Sequence, residues 1–201
     1  MKKLLCTGLI VLVSWVAAGP AAAANDPETA RELLKSKIDS VLQVLEQTEL
    51  SDADKREKVE SIVDPVFHYD LMAKLALGPK YWPKLSADQQ ETFSRRFIQR
   101  VKASYFDKIS MYSADTNAEI TYDPTRTRNG KVHVPLQVRT GSNKVEMVYK
   151  FYRTGDSWRI YDAEVNGVSI VQSYRSQFNQ MLKEATVEEL LRDLKSDEEL
   201  Q

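Results

Sequence analysis

The sequence predicts an α+β fold of a single domain, in which a four-stranded antiparallel meander sheet packs against several helices. Apolar residues recur at helical spacing as far as about Met111, and they then alternate with polar residues along four short segments. Helical spacing returns after Asn166-Gly167. Helices before and after one antiparallel sheet are typical of α+β domains, and 201 residues correspond to one or two domains by length.

Capping residues mark where several helices begin. Asp26-Pro27-Glu28 places a capping residue before a proline at the first helical position. Capping boxes occur at Ser86-Ala87-Asp88-Gln89 and at Thr186-Val187-Glu188-Glu189. The predicted helices span about residues 26–45, 51–63, 69–77, 86–111, 171–183 and 186–194.

Four segments with a period of two predict the strands, at residues 118–122, 132–138, 145–151 and 158–165. Pro135 cannot donate a hydrogen bond to a neighbouring strand, so we expect an edge or a bulge there. One face of the two middle strands is apolar. We expect this face to meet helices that contain Phe93, Phe97, Val101, Tyr105, Tyr174 and Phe178.

Residues 1–24 are predicted to be a secretory signal peptide. Lys2 and Lys3 precede an apolar stretch at residues 4–18, and Ala22-Ala23-Ala24 satisfies the small-residue rule for cleavage. The stretch is shorter than the roughly 20 residues of a membrane span, although an uncleaved anchor is the alternative. Cleavage after Ala24 would leave a cysteine-free domain at residues 25–201, with a frayed tail from about residue 196, in the bacterial periplasm.

Composition and motifs argue against several classes of function. Lys and Arg number 28 against 29 Asp and Glu, so no field of one sign points to nucleic acid. The sequence contains no nucleophile motif, phosphate loop, dinucleotide glycine pattern or metal-ligand spacing, and no cofactor is predicted. Asp162 and Glu164 on one strand face, or His133, are the candidates for acid-base chemistry. A charged, solvent-facing surface beside the loops is the simpler interpretation.

Two other groups of charged residues have simple structural explanations. Asp64 and Asp70 fit helix boundaries better than a catalytic pair. The basic cluster of the long helix fits a solvated face, with docking as the alternative, and comprises Arg95, Arg96 and Arg100.

Apolar and aromatic surface on both layers is the most abundant feature of the chain. An ordinary packed core accounts for it, and so does a cavity between sheet and helices that holds an apolar ligand. Composition favours the packed core, but the pattern does not distinguish the two.

Five segments form an ordered set of motifs along the chain. They are YDLMAKLALG at residues 69–78, LSADQQETF at 85–93, WRIYD at 158–162, EVNGVSIV at 164–171 and YRSQF at 174–178. In order and spacing this set resembles the toluene-tolerance, or MlaC, family of periplasmic phospholipid-binding proteins. The resemblance extends over nearly all of the chain after the predicted signal peptide.

The resemblance implies a carrier without catalytic activity that holds diacyl phospholipid in an apolar pocket between the sheet and the helices. It implies transfer between an inner-membrane ABC transporter complex with a lipid-binding partner domain and an outer-membrane lipoprotein–porin complex, which maintains outer-membrane lipid asymmetry. We expect the pocket to be lined by Tyr105, Val134, Leu136, Val138, Met147, Tyr149, Val171 and Tyr174. Further candidates for contact with a head group or a partner are Arg95, Arg96, Arg100 and Arg175.

Other functions stay open from the sequence. A related branch of the family is associated with hopanoids, so another apolar ligand is possible. A small-molecule enzyme on a helix-plus-curved-sheet fold would need Asp162, Glu164 or His133 in the pocket. A periplasmic chaperone or adaptor would use an apolar groove for peptides.

Overall fold

The computed structural model describes residues 27–113 and 119–194, and it describes side chains for residues 27–104 and 119–194. The predicted signal peptide at residues 1–24 and the tail from about residue 196 lie outside this part of the chain. No helix within the described residues is long and apolar enough to cross a membrane.

In the part of the chain that the structure describes, six α-helices lie close to their predicted positions. They are α1 (Pro27–Leu45), α2 (Asp52–Val63), α3 (Tyr69–Leu77), α4 (Ala87–Ser113), α5 (Ile170–Met181) and α6 (Val187–Asp193). Both predicted capping boxes are confirmed. The backbone N–H of Gln89 donates to Ser86 Oγ and the backbone N–H of Ser86 donates to Gln89 Oε1, and Thr186 and Glu189 make the same reciprocal bonds. These bonds satisfy donors that the first helical turn leaves unpaired.

Within residues 119–194 the sheet has six strands, two more than the four predicted. The strands are β1 (Glu119–Tyr122), β2 (Arg126–Arg128), β3 (Lys131–Thr140), β4 (Asn143–Thr154), β5 (Ser157–Val165) and β6 (Val168–Ser169). All neighbours pair antiparallel in the order β1-β3-β4-β5-β6, and β2 also pairs with β3. The prediction missed β2 and β6 because β2 is exposed along its whole length and β6 has only two residues, so neither shows an apolar alternation.

Pro135 lies opposite a break between two strands. On one side of β3, β1 pairs with residues 136–139 and β2 with residues 131–133, so the neighbouring chain leaves the ladder beside Pro135. The Pro135 carbonyl accepts from the Asp123 backbone N–H at 3.1 Å, which shows that the backbone groups of Pro135 face this side. The missing N–H therefore costs the sheet no hydrogen bond, as the predicted irregularity implies.

The buried apolar residues form two clusters rather than one continuous layer. The sheet cluster joins one face of β3, β4 and β5 to α1, through Ala30 and Leu34. The helical cluster joins α3, α4, α5 and α6, with Phe93, Phe97 and Phe178 in edge-to-face and stacked contacts.

Five of the six residues predicted to face the sheet are therefore placed elsewhere, because they belong to the helical cluster, and the side chain of the sixth, Tyr105, lies outside the described residues. The described aromatic residues of α4 and α5 pack with one another, and α1 covers the apolar face of the sheet instead. The segment before α3 links the two clusters, because Phe67 packs against both and the His68 backbone N–H donates to Ile160 O of β5 at 2.8 Å.

Candidate functional site

One face of the sheet presents a continuous apolar surface to α1. Antiparallel pairing places Val134 beside Tyr149, Leu136 beside Met147, and Val138 beside Val145. The side chains that share this face extend across three strands and are Ile120, Tyr122, Val132, Val134, Leu136, Val138, Met147, Tyr149 and Phe151. The alternation in the sequence fixes this arrangement, since successive side chains of a strand point to opposite faces.

The apolar face is tightly enclosed at one end and open at the other. Val132, Val134, Leu136 and Phe151 are at most 1% exposed. By contrast, five side chains of the same face on β1, β3 and β4 are only half-buried, although Val145 beside them is buried, and they are Ile120, Tyr122, Val138, Met147 and Tyr149. We call these five residues the open patch. It spans two strand spacings, about 10 Å, across the sheet.

The predicted pocket residues divide between the two clusters. Val134, Leu136, Val138, Met147 and Tyr149 share the apolar face of the sheet. Val171 and Tyr174 belong to the helical cluster, where Tyr174 packs edge-on against Phe97 with ring centroids 5.1 Å apart. Tyr105 lies in α4, and its side chain is outside the described residues. The structure thus brings together five of the eight predicted residues and places two with the helices.

Residues of two further elements, Ile120 and Tyr122 of β1 and Ala30 and Leu34 of α1, belong to this face but were not predicted to line a pocket. Tyr122 extends the open patch onto β1, and Ala30 and Leu34 of α1 cover its enclosed end. The alternation in β1 could have indicated Tyr122, and the helical spacing of Leu34 and Ile38 could have indicated α1. Nothing local in the sequence shows which of six helices covers the sheet.

Two tyrosine hydroxyls lie within the apolar face. Burial raises the pKa of Tyr149 to about 12, and burial, with smaller effects from Asp39 and Tyr149, raises that of Tyr122 to about 12. Both hydroxyls are therefore neutral near pH 7 and act as hydrogen-bond groups. The Tyr149 hydroxyl lies 4.0 Å from the sulfur of Met147.

The opposite face of the sheet contains a buried ion-pair network. The Asp162 carboxylate accepts from Lys150 Nζ at 2.9 Å, from Ser169 Oγ at 2.7 Å and from the Val171 backbone N–H at 3.1 Å. Glu164 also pairs with Lys150. Burial acts to lower the pKa of Lys150, but hydrogen bonds and charges from Glu164 and Asp162 raise it above its ordinary value.

This network corrects the expected role of Asp162. The sequence predicts a solvent-facing carboxylate here, but Asp162 is 4% exposed and ties the first turn of α5 to the sheet. His133, on the same face, is half-buried, and burial together with the charge of Lys150 lowers its pKa. These groups lie on the side of the sheet away from the open patch, so they do not border the apolar surface.

The basic residues of α4 contact the protein itself. Arg96 Nη1 donates to Leu191 O at 2.8 Å, and Arg100 Nη2 donates to Asp193 O at 2.8 Å, so both bind carbonyls near the C-terminal end of α6. Asp64 likewise has a structural role at the end of α2, where it accepts from Tyr69 and from Lys102. Within the described residues, no group of three His, Cys, Asp or Glu side chains could hold a metal ion.

A groove of about 1040 Å³ lies on the helical side of the molecule, between α2, α3 and α4. None of the seven predicted pocket residues whose side chains the structure describes borders it. Its lining combines apolar side chains, Trp82 and Ile98 among them, with charged side chains of both signs, namely Arg56, Glu60, Asp70, Glu91, Arg95 and Lys102.

Comparisons with known proteins agree on one family. A family model described as MlaC protein matches residues 35–196. The toluene tolerance protein ttg2D of Pseudomonas putida is 29% identical over 119 residues, which cover 58% of this chain and 54% of that protein. The chain thus spans about half the length of this curated relative.

A solved structure has the same fold. It is the phospholipid-binding protein from Ralstonia solanacearum in complex with a phospholipid, and it matches with a TM-score of 0.68 and 23% identity. The match covers 82% of this chain and 94% of that one.

Proposed function

Because the chain belongs to the MlaC protein family, we propose that it is a periplasmic carrier that binds the tails of a phospholipid and moves lipid between the two membranes. The observation that carries this proposal is the open patch. It is an apolar surface of the sheet, and its side chains are only half-buried beside the covering helix α1. Two similar proteins support it. The toluene tolerance protein is similar in sequence, and the Ralstonia protein, which has the same fold, binds a phospholipid.

Elementary energetics explain why such a carrier is needed. Burying one methylene is worth about 0.8 kcal/mol. Moving a lipid with roughly 30 tail methylenes from a bilayer into water would therefore cost about 24 kcal/mol of free energy. An apolar surface that shields the tails removes most of this barrier. A half-buried surface suits the task, because a tail can reach it without the complete unpacking of a core.

We propose that the tails contact the open patch and the adjoining Val134 and Leu136. Branched side chains and the flexible thioether of Met147 can adapt to disordered chains. Tyr105 of α4 and Val171 and Tyr174 of α5 remain proposed lining residues. No catalytic residue enters the proposal, since Asp162 is held by three donors on the other face.

The proposed partners follow from the family and from this chemistry. A lipid taken from one membrane has to be handed to another apolar surface. We propose an inner-membrane ABC transporter complex with a lipid-binding partner domain at one end and an outer-membrane lipoprotein–porin complex at the other. Such transfer would maintain the lipid asymmetry of the outer membrane.

The test is mass spectrometry of the protein purified from the periplasm, with two matched variants. Val138→Glu places a carboxylate on the open patch, and Val168→Glu makes the same change at a side chain that is 59% exposed. We expect co-purifying phospholipid in the wild type and in Val168→Glu. We expect at least about a tenfold loss in Val138→Glu, because an unpaired charge would be buried against the tails.

Three outcomes would contradict the proposal. The carrier function is wrong if the folded wild-type protein takes up no phospholipid from the periplasm or from added vesicles. The site is wrong if folded Val138→Glu retains the wild-type amount of lipid. Co-purification of a hopanoid or of peptides instead would indicate one of the other ligands.

A further inference from the structure

The hydroxyl of Tyr122 is buried without a hydrogen-bond partner in the part of the chain that the structure describes. Tyr122 lies on β1, paired in register with Leu136, and its side chain belongs to the open patch. It is thus a polar atom placed within an apolar surface.

An unpaired buried hydroxyl destabilises a protein, because it loses its hydrogen bonds to water and gains none in return. A phenylalanine would fill the same space without that penalty. Buried polar groups in folded proteins nearly always have partners, so an exception calls for an explanation. A bound molecule that supplies an acceptor would provide one.

The surroundings of Tyr122 indicate where on such a molecule the acceptor lies. On one side are the apolar residues of the open patch. On the other side is α1, where the guanidinium carbon of Arg31 lies 6.0 Å from the centre of the Tyr122 ring. Arg31 pairs with Glu28 at 2.9 Å, and the Arg31 side chain is 35% exposed, so this edge of the patch is charged and reached by water. Tyr122 therefore stands at the boundary between an apolar and a polar region.

We propose that the Tyr122 hydroxyl donates a hydrogen bond to an ester carbonyl oxygen of a bound diacyl phospholipid. This inference rests on the proposed function. In such a lipid the ester carbonyls join the apolar tails to the charged head group, which matches the position of Tyr122 between the open patch and α1. A neutral carbonyl also loses less hydration on burial than a charged phosphate, so it is the better match for an enclosed hydroxyl.

The test is a competition between two lipids that differ only in these carbonyls. Lipid-free wild-type protein is incubated with vesicles of equal parts diester and diether phosphatidylglycerol with tails of the same length. Mass spectrometry of the recovered protein gives the ratio of the two bound lipids. Tyr122→Phe removes the donor, and Tyr152→Phe is the matched control on the opposite face, where Tyr152 packs against His68 and Tyr161.

We expect the wild type and Tyr152→Phe to enrich the diester lipid by about threefold to tenfold, the range that one hydrogen bond gives. We expect Tyr122→Phe to bind both lipids equally. Lipid-free Tyr122→Phe should unfold at the same temperature as the wild type or higher, because it loses an unpaired group.

The proposal is overturned if the wild type shows no preference, or if Tyr122→Phe keeps it. It is also overturned if Tyr122→Phe lowers uptake of both lipids without changing their ratio, since that result would indicate packing or a phosphate contact. A clear fall in the unfolding temperature would show a partner within the protein. If the wild type takes up neither lipid, the proposed carrier function itself is wrong. This result differs from failure of the Tyr122 proposal alone, in which lipid is bound without a preference for the diester.

Discussion

Replacing Asp162 with alanine should loosen the attachment of α5 to the sheet. The Asp162 carboxylate is the common acceptor for Lys150 Nζ, Ser169 Oγ and the backbone N–H of Val171. Ser169 in turn caps α5, since its hydroxyl accepts from the Gln172 backbone N–H at 3.1 Å. Asp162→Ala removes the acceptor and leaves these donors buried.

The size of the effect follows from burial. Breaking a buried ion pair costs about 3–5 kcal/mol. Lys150 keeps Glu164 as a partner, so its ammonium is not isolated, and we take the lower end, about 3 kcal/mol. For a chain of this size each kcal/mol lowers the unfolding temperature by about 2–4 °C, which predicts a fall of about 6–12 °C.

The assay is urea unfolding of lipid-free protein followed by circular dichroism, because a bound ligand would add its own stabilisation. Glu164→Ala is the matched control. Its side chain is 28% exposed and pairs with Lys150, so it should cost less than about 1 kcal/mol. If Asp162→Ala costs no more than Glu164→Ala, the network does not hold α5 to the sheet and the reasoning is refuted.

Two further predictions concern a glycine and the buried tyrosines. Gly78→Ala should destabilise the protein by about 1–3 kcal/mol in the same assay, because φ is +82° and an added Cβ would lie 2.9 Å from Arg175 Nε. Gly130→Ala is the control, since φ is +71° there but no atom lies within 4 Å of the added Cβ. The difference between the two variants separates the effect of the clash from that of the backbone strain. In an alkaline absorbance titration, Tyr122 and Tyr149 should ionise at about pH 12, and the two Phe variants should remove that phase. Their raised pKa values stabilise the fold fully below the ordinary tyrosine pKa of about 10, and this contribution is lost as the pH rises through 10 towards 12. Ionisation of all tyrosines near pH 10 in the folded protein would contradict the burial of both hydroxyls.

Local signals in the sequence predicted the elements well. The capping boxes at Ser86 and Thr186 mark helix starts, because their bonds join residues only three positions apart. The alternation along β3 and β4 likewise placed Val134, Leu136, Val138, Met147 and Tyr149 on one face. Each of these features depends only on residues close together in the chain, so it can be predicted from a short stretch of sequence.

The candidate site could be predicted only in part. Its sheet side follows from the alternation, but Val171 and Tyr174 are placed with the helices. The bulge between Lys150 and Phe151 also has no clear signal in the sequence. It lets both Ile160 and Ala163 face the apolar side although they are three residues apart, which breaks the period of two.

The sequence by itself determined where the described helices and the four predicted strands lie and which side of β3 and β4 is apolar, since hydrogen bonds and side-chain periodicity over short distances decide these features. Only the tertiary structure decided that α1 covers the apolar face of the sheet, that Asp162 is buried beneath α5, and that the Tyr122 hydroxyl has no partner among the described residues. Several amphipathic helices can cover an apolar sheet equally well by pattern. The choice among them depends on shape and packing between residues far apart in the chain, such as Leu34 and Leu136, and no local pattern records it.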